Sequence, residues 1–352
     1  MPPSPPDPAA PSPAPPGDGG NRWTVPAGDF VRLRTGPVLC SLDEHAVLEF
    51  EGPDAVSFLQ AQTTADAGAM TPQSWQLGGY CTPKGRLLAI FHCWLHESGA
   101  RWLLPASIAG AIQRRLSMYV LRSKVRVRDV TAQWRVWAAL GSDAPQALRA
   151  ASLAVPAQPW QARELAPWAR EARVAALPAG AGCGARLLCV VPQADEARFL
   201  GSLPALPRCG APLWWWSQID AAIPDVVAAT SELFVPQTLN LEVLGAVSFR
   251  KGCYPGQEIV ARSQYLGKLR RRMAPAHAAQ IGPGGDVFAG DQPVGRIVLA
   301  ASAPEGGWDL LFECSGEAGS GALPRSELRA GSAGAAVLQM RPLPYPIFDP
   351  TA

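Results

Sequence analysis

Between residues 45 and 130 the order of short apolar segments constrains the fold more than any composition does. Residues 45–50 (HAVLEF) alternate with the period of a strand, and Gly52-Pro53-Asp54 then opens a helix whose Val56, Phe58 and Leu59 supply one buried face. Residues 75–82 and 86–95 read as two strands joined by Pro83-Lys84-Gly85. Gly78-Gly79 weakens the first of them locally and permits close approach of a backbone or a ligand. A strand at 101–104, a helix over about 107–121 and an alternating stretch at 124–130 complete the series. Hairpins with two helices in this order form an α+β unit and exclude a regular parallel α/β array.

The flanking regions differ in texture. Residues 1–28 are dominated by proline, alanine, serine and glycine, cannot bury a core, and read as a disordered tail. Residues 133–213 give weaker signals: strands at 134–140 and 185–191, a helix at 194–203, and alanine- and proline-rich helices or loops between them, as in a second small α+β unit. Residues 274–352 alternate short strands with frequent glycine and proline, as in a small β-barrel or sandwich. The expected division is therefore a tail at 1–28, an α+β region at 29–269 and a β-barrel at 270–352.

With a net charge of +2, the chain carries no global nucleic-acid or membrane signal. Its eight cysteines are scattered without a CxxC pair, which argues for free thiols in a reducing compartment rather than a disulfide framework or a structural zinc site. No apolar run is long enough to span a bilayer, and the first residues lack the pattern of a signal peptide, so a cytoplasmic protein is expected. Dinucleotide, P-loop, zinc-protease and nucleophile-elbow motifs are absent.

Chemistry concentrates in residues 249–273, FRKGCYPGQEIVARSQYLGKLRRRM. Cys253 follows Arg250 and Lys251, and Pro255-Gly256 opens a helix over about 257–266 with Ile259, Val260 and Leu266 as its apolar face. A thiol just before a helix N-terminus and beside cations is favoured as thiolate; a turn with a buried cysteine is the other reading. Asp220 stands amid apolar residues, where a carboxylate either caps local backbone or recognises a ligand with paired N–H donors, as a pterin has. Trp214-Trp215-Trp216 can stack on a flat ring or belong to the core. His92 and His96 share a face and read as structural, with a metal or base role as the alternative. Arg270-Arg271-Arg272 reads as a solvated charge patch, or as a partner for phosphates or a folate polyglutamate tail.

KGCYPGQEIVAR at 251–262 resembles the signature of the YgfZ family of folate-binding, iron-sulfur-cluster-related proteins, which are similar in architecture to the glycine-cleavage T protein. LEFEGPDAVSFLQAQTTAD from Leu48, GGYCTPKGRLLA from Gly78, MYVLRSKVRVRD from Met118 and FVPQTLNLEVLGAVSF from Phe234 also resemble family segments, in family order. The resemblance implies an aminomethyltransferase-like cloverleaf of two ferredoxin-like α+β parts and a C-terminal β-barrel, with tetrahydrofolate in a central opening. It also implies a role in assembling or repairing clusters in a subset of iron-sulfur enzymes, including tRNA-modifying ones.

On that resemblance Cys253 is the reactive residue. Asp220, Lys251, Gln257, Glu258 and Arg262 are the candidate cofactor-binding residues, and iron-sulfur proteins or cluster-assembly factors are the partners. Two departures matter. Leu88-Ala89 stands where aminomethyltransferase relatives carry an acidic pair, so aminomethyl transfer should be poor. Ala222 replaces the glycine of the family's AGIP. Two further functions stay open, a folate-dependent one-carbon transferase and a tRNA-binding or scaffolding module that uses the arginine run.

Overall fold

The computed structural model describes residues 20–265, 271–315 and 327–347, built on three sheets. The first contains, in spatial order, Gln76–Cys81, Leu87–His96, Gly99–Pro105, His45–Glu51 and Arg126–Asp129, each antiparallel to its neighbours. Both faces are covered. Leu48 and Phe50 cluster with Phe58, Leu59, Ile108 and Ile112 of the helices Ala55–Gln62 and Ala106–Tyr119, whereas Val47, Ile90, Trp94 and Leu103 belong to a central core. The alternation in HAVLEF thus separates two apolar environments rather than core from water. Gly79 is needed for a close approach, but to protein: its N–H donates to Thr64 Oγ1 at 2.8 Å.

The second sheet runs Arg208–Cys209, Val38–Ser41, Trp134–Leu140, Gly184–Pro192, Ala169–Gly180 and Ala162–Ala166. Val38–Ser41 precedes the first unit in sequence, so sheet membership does not follow blocks of chain. Strands at 134–140 and 184–192 and the helix Glu196–Ser202 lie where the sequence places them. Ala162–Ala166 and Ala169–Gly180 do not: alanine- and arginine-rich AREARVAAL has the composition of a helix, yet it pairs on both sides, Val174 with Cys189 and with Arg163. Tertiary pairing overrides local propensity here.

The third sheet runs Leu328–Ala330, Asp286–Ala289, Gln292–Ser302, Trp308–Ser315, Arg271–Ala278 and Gln339–Met340. Its two ends meet at an isolated antiparallel bridge between Arg329 and Val337, where Leu338 N–H donates to the Leu328 carbonyl at 2.7 Å, and it forms a curled half-barrel where a β-barrel or sandwich was expected. Part of the expected tail is also ordered. Arg22–Trp23 adds in parallel to Gln292–Ser302, the buried Asn21 amide donates to the carbonyls of Ile297 and Val298 at 3.2 Å, and the helix Ala27–Thr35 begins before the expected boundary. Residues 1–19 lie outside the described ones. Among the described residues no helix is long and apolar enough to cross a membrane.

Helix Ala211–Asp220 links all three sheets through its three tryptophans, which are core rather than a ligand platform. Successive helical positions point about 100° apart, so the rings radiate. Trp214 lies under the Arg186 guanidinium of the second sheet, 4.8 Å from ring centroid to Cζ. Trp215 stacks on Trp23 at 4.2 Å and on His45 of the first sheet at 4.9 Å. Trp216 donates from Nε1 to Asp309 of the third sheet at 2.9 Å.

Where the first two sheets meet, Glu49 receives Arg101 at 2.8 Å and Arg128 at 2.6 Å. Burial pushes its carboxyl up, but these two guanidinium groups outweigh burial and hold it below the usual value. Glu49→Gln, which leaves Arg101 buried and undercompensated, should cost about 3 kcal/mol of unfolding free energy in urea titration. A second expectation concerns acid. Burial pushes His45 and His92 down to about 3 from 6.5. The unfolded chain therefore binds these protons from about pH 6.5 downward while the native protein does not. Stability present above that pH should fall toward pH 3 by about 1.4 kcal/mol per unit per histidine. His92→Gln should remove one histidine's share of that slope in denaturation measured at stepped pH.

Candidate functional site

The cysteine motif is a loop with buried flanks and an exposed thiol. Lys251 is buried and its ammonium donates to the carbonyls of Thr63 at 2.6 Å and Ala65 at 2.9 Å; burial pushes its pKa down to about 8. Two of its three donors are thus committed to backbone. Tyr254 is buried beside it, with the ammonium 5.1 Å from the ring centroid. Gly256, at φ 83°, lies so close to the hairpin of residues 82–85 that a Cβ would sit 2.5 Å from the Thr82 carbonyl oxygen. Gly85, at φ 71°, faces Ile259 in the same way. Pro-Gly and Lys-Gly turns therefore interlock, which only glycine permits at these φ values.

Cys253 projects from this anchored loop. It is exposed, whereas the other seven cysteines are buried. Helix Gln257–Tyr265 follows, with Val260 buried and its carbonyl accepting from Gln237 Nε2 at 2.5 Å. Leu266, expected to extend the apolar face, lies outside the described residues. Gln257 is half-buried in the first turn, and Glu258 and Arg262 form an exposed ion pair of 3.1 Å.

Asp220 lies elsewhere. Its helix ends in a Schellman turn: Ile223 N–H donates to the Gln218 carbonyl at 2.9 Å and Ala222 N–H to that of Ile219 at 3.0 Å, with Ala222 left-handed at φ 51°. The missing family glycine thus falls on the one position of the turn that favours glycine. The Asp220 carboxylate accepts from the backbone N–H groups of Gly182 and Cys183, both at 2.8 Å. A Cβ on Gly180 would come 2.1 Å from Asp220 Oδ2, so this glycine-rich hairpin is shaped around the carboxylate. The capping role left open by the sequence is realised.

A cavity of about 510 Å³ opens beside the capped carboxylate. Phe30, Trp216 and Ile219 wall it, Arg34 and Arg341 supply charge, and Asp220 forms part of its lining. Trp216 and Asp220, four residues apart on one helix face, enter it together. No residue between 251 and 262 lines this cavity. The structure therefore groups Lys251, Cys253, Gln257, Glu258 and Arg262 on one loop and helix, and sets Asp220 apart from them.

Arg186 was not legible as a special residue, although an arginine inside the apolar strand ARLLCVVP was its signal. It is buried, donates to Ser217 Oγ at 3.2 Å and to Gln218 Oε1, and burial lowers its pKa to about 10, leaving it charged near neutrality. His92 accepts from Trp75 Nε1 at 3.1 Å through Nδ1, and among the described residues no group of His, Cys, Asp or Glu is placed to hold a metal.

The expected solvated arginine patch is corrected at one position: Arg272 is buried on Glu242 and the Gln237 carbonyl, whereas Arg271 is exposed and pairs with Glu313 at 3.0 Å, and Arg270 lies outside the described residues.

Three sheets in this arrangement define an aminomethyltransferase-like α+β fold. The glycine cleavage system aminomethyltransferase T of Bartonella henselae superposes with a TM-score of 0.73, covering 93% of this chain and 94% of that one at 15% identity. The chain belongs to the YgfZ family. It is 32% identical over 244 residues to the tRNA-modifying protein YgfZ of Edwardsiella ictaluri, covering 67% of this chain and 69% of that protein. It is 27% identical over 326 residues to that of Klebsiella pneumoniae, covering 88% and 94%. No family model matches the chain.

The left-handed Ala222 carries a test. Replacing alanine by glycine in a helix interior costs about 1 kcal/mol, and Ala109→Gly in the helix Ala106–Tyr119 should show that loss. Ala222→Gly should leave the protein at least as stable as its parent, because relief of the left-handed alanine offsets the lost methyl group. Urea midpoints of the two variants decide it.

Proposed function

We propose that this chain is a tetrahydrofolate-binding protein that supports assembly or repair of iron-sulfur clusters in a subset of enzymes, and through them tRNA modification. The observation that carries the reading is Cys253, an exposed thiol held out by buried anchors on either side. Its role is to offer sulfur chemistry to a partner protein, with the cluster as cargo. The relatives' name, tRNA-modifying protein YgfZ, supports the tRNA end of the proposal.

Folate is assigned to the cavity beside Asp220, and the residues there fit it. Among the described residues Asp220 Oδ1 receives one backbone hydrogen bond, from Gly182 N–H at 3.1 Å, which leaves acceptor capacity for the pterin's donors. Phe30 and Trp216 supply aromatic wall, and the cations that would meet the glutamate carboxylates are Arg34, which faces Glu305 at 3.4 Å and donates to the Pro304 carbonyl at 2.9 Å, and Arg341, paired with Asp309 at 2.9 Å. Bound there, the folate would supply a one-carbon carrier; the protein's part is to orient it and exclude water. Leu88 and Ala89 are buried in the apolar cluster under the helices of the first sheet, so no carboxylate stands there for aminomethyl transfer.

Two measurements test this. Arg34→Ala, at a half-exposed side chain, should weaken tetrahydrofolate binding by about tenfold in calorimetry, the loss of one charge-assisted contact. Cys253→Ala should lower iron-sulfur enzyme activity in cells that depend on this chain while its unfolding midpoint stays unchanged. Unchanged enzyme activity would sink the thiol's role, and turnover of an aminomethyl donor by the pure protein would replace the proposal with a transferase.

A further inference from the structure

From residue 98 to residue 128 the chain has seven basic side chains and no aspartate or glutamate, within a protein of net charge +2. Three are committed internally. Arg101 and Arg128 hold Glu49, and Arg115 lies 5.9 Å from the ring centroid of Tyr119. Arg114, Arg122, Lys124 and Arg126 are exposed, and among the described residues none of them pairs with a carboxylate.

Apolar groups share this surface. Of seven large apolar side chains exposed among the described residues, three fall within four positions: Met118 at 67%, Tyr119 at 39% and Leu121 at 87%. Leu121 is left-handed, at φ 42°, which a leucine adopts only where its surroundings impose it. The constraint is visible on the next residues. Lys124 N–H donates to Asp54 Oδ2 at 2.6 Å, and Gly52 packs so tightly that a Cβ would meet the Lys124 carbonyl oxygen at 2.2 Å. The loop between helix Ala106–Tyr119 and the edge strand Arg126–Asp129 is thus fixed in a form that presents Leu121 to solvent.

Unpaired cations around exposed aromatic and apolar side chains match a polyanion with flat apolar faces. Three of the four free cations are arginines, whose planar groups stack on bases as well as bind phosphate. Three apolar side chains are a small area with which to hold a lipid surface. We propose that this surface binds single-stranded RNA, such as an unpaired loop of a folded RNA. Phosphates lie against Arg114, Arg122, Lys124 and Arg126, and bases stack on Tyr119 and pack on Met118 and Leu121. The site extends the tRNA part of the proposed function and uses none of its folate or thiol residues. It uses no residue of the Cys253 loop or of the hairpin of residues 82–85 against which that loop packs.

The test is fluorescence anisotropy with a labelled oligouridylate, titrated over a range of salt. Four phosphate contacts give a slope of log affinity on log salt of about −3, and Arg122→Gln with Arg126→Gln should flatten it by about 1.4. Tyr119→Ala should weaken binding by about tenfold with the slope unchanged. These side chains are exposed, so unfolding midpoints should match the parent; Arg114→Gln, predicted to flatten the slope by about 0.7, gives an independent reading. An unaltered slope in the double variant overturns the proposal. So does capture of the protein by phosphatidylserine-containing vesicles, lost with Leu121→Ser, when the oligonucleotide is not bound. Cys253→Ala should bind RNA as the parent does, so a failed thiol or folate test leaves this result standing.

Discussion

The contact on which the rest of the structure depends is the burial of three consecutive tryptophans on the helix Ala211–Asp220. Each ring reaches a different sheet, so one short helix joins surfaces that the chain builds at widely separated positions. Indole groups suit this task because they bury a large apolar area and still carry one N–H that needs a partner. Trp215 and Trp23 both give theirs to Glu44 Oε2 at 2.8 Å, and Trp216 gives its own to Asp309. Asp309 also receives His277 and Arg341, each at 2.9 Å, so the carboxylate buried under the third sheet is well satisfied.

This junction also places the candidate folate site. Asp220 is one helical turn beyond Trp216, and the helix stops immediately after it in the turn at Ala222. Seating the tryptophans therefore fixes where the carboxylate emerges, and the hairpin at 180–184 closes over it through two backbone N–H groups. The cavity is a by-product of the same geometry. Its floor is the last turn of the helix, and its wall includes Phe30, edge-on to Trp216 at 5.1 Å.

Much of the first sheet was legible because the segments at 45–50 and 124–130 alternate, the others are short apolar runs, and the connections carry turn residues; the hairpin at 83–85 needed no tertiary information. The strand Ala169–Gly180 was not legible, since its residues favour a helix and only pairing on both sides makes it a strand. The order of residues 20–28 was hidden for a related reason: Arg22–Trp23 pairs with a strand almost the whole chain away. At the sites, residue types were readable and partners were not. Nothing near Asp220 in sequence points to Gly182 and Cys183, and nothing near Arg272 points to Glu242.

The cysteine loop shows how a buried charge can serve an exposed group. Placing Lys251 under the loop is unfavourable for its ammonium, as its lowered pKa of about 8 records, and the Thr63 and Ala65 carbonyls offset part of that cost. Those carbonyls lie on the segment whose Thr64 bridges Gly79 of the first sheet and Ala246 ahead of the motif. The lysine thus ties the loop to the sheet from below, while Gly256 and Gly85 lock it from the side. Between these two attachments Cys253 has little backbone freedom left to lose when a partner engages it, and an ordered, exposed thiol binds with less entropic penalty than one on a free loop. Of the two cations that precede the cysteine, Lys251 fixes the position of the loop, and the thiol's exposure follows from that attachment.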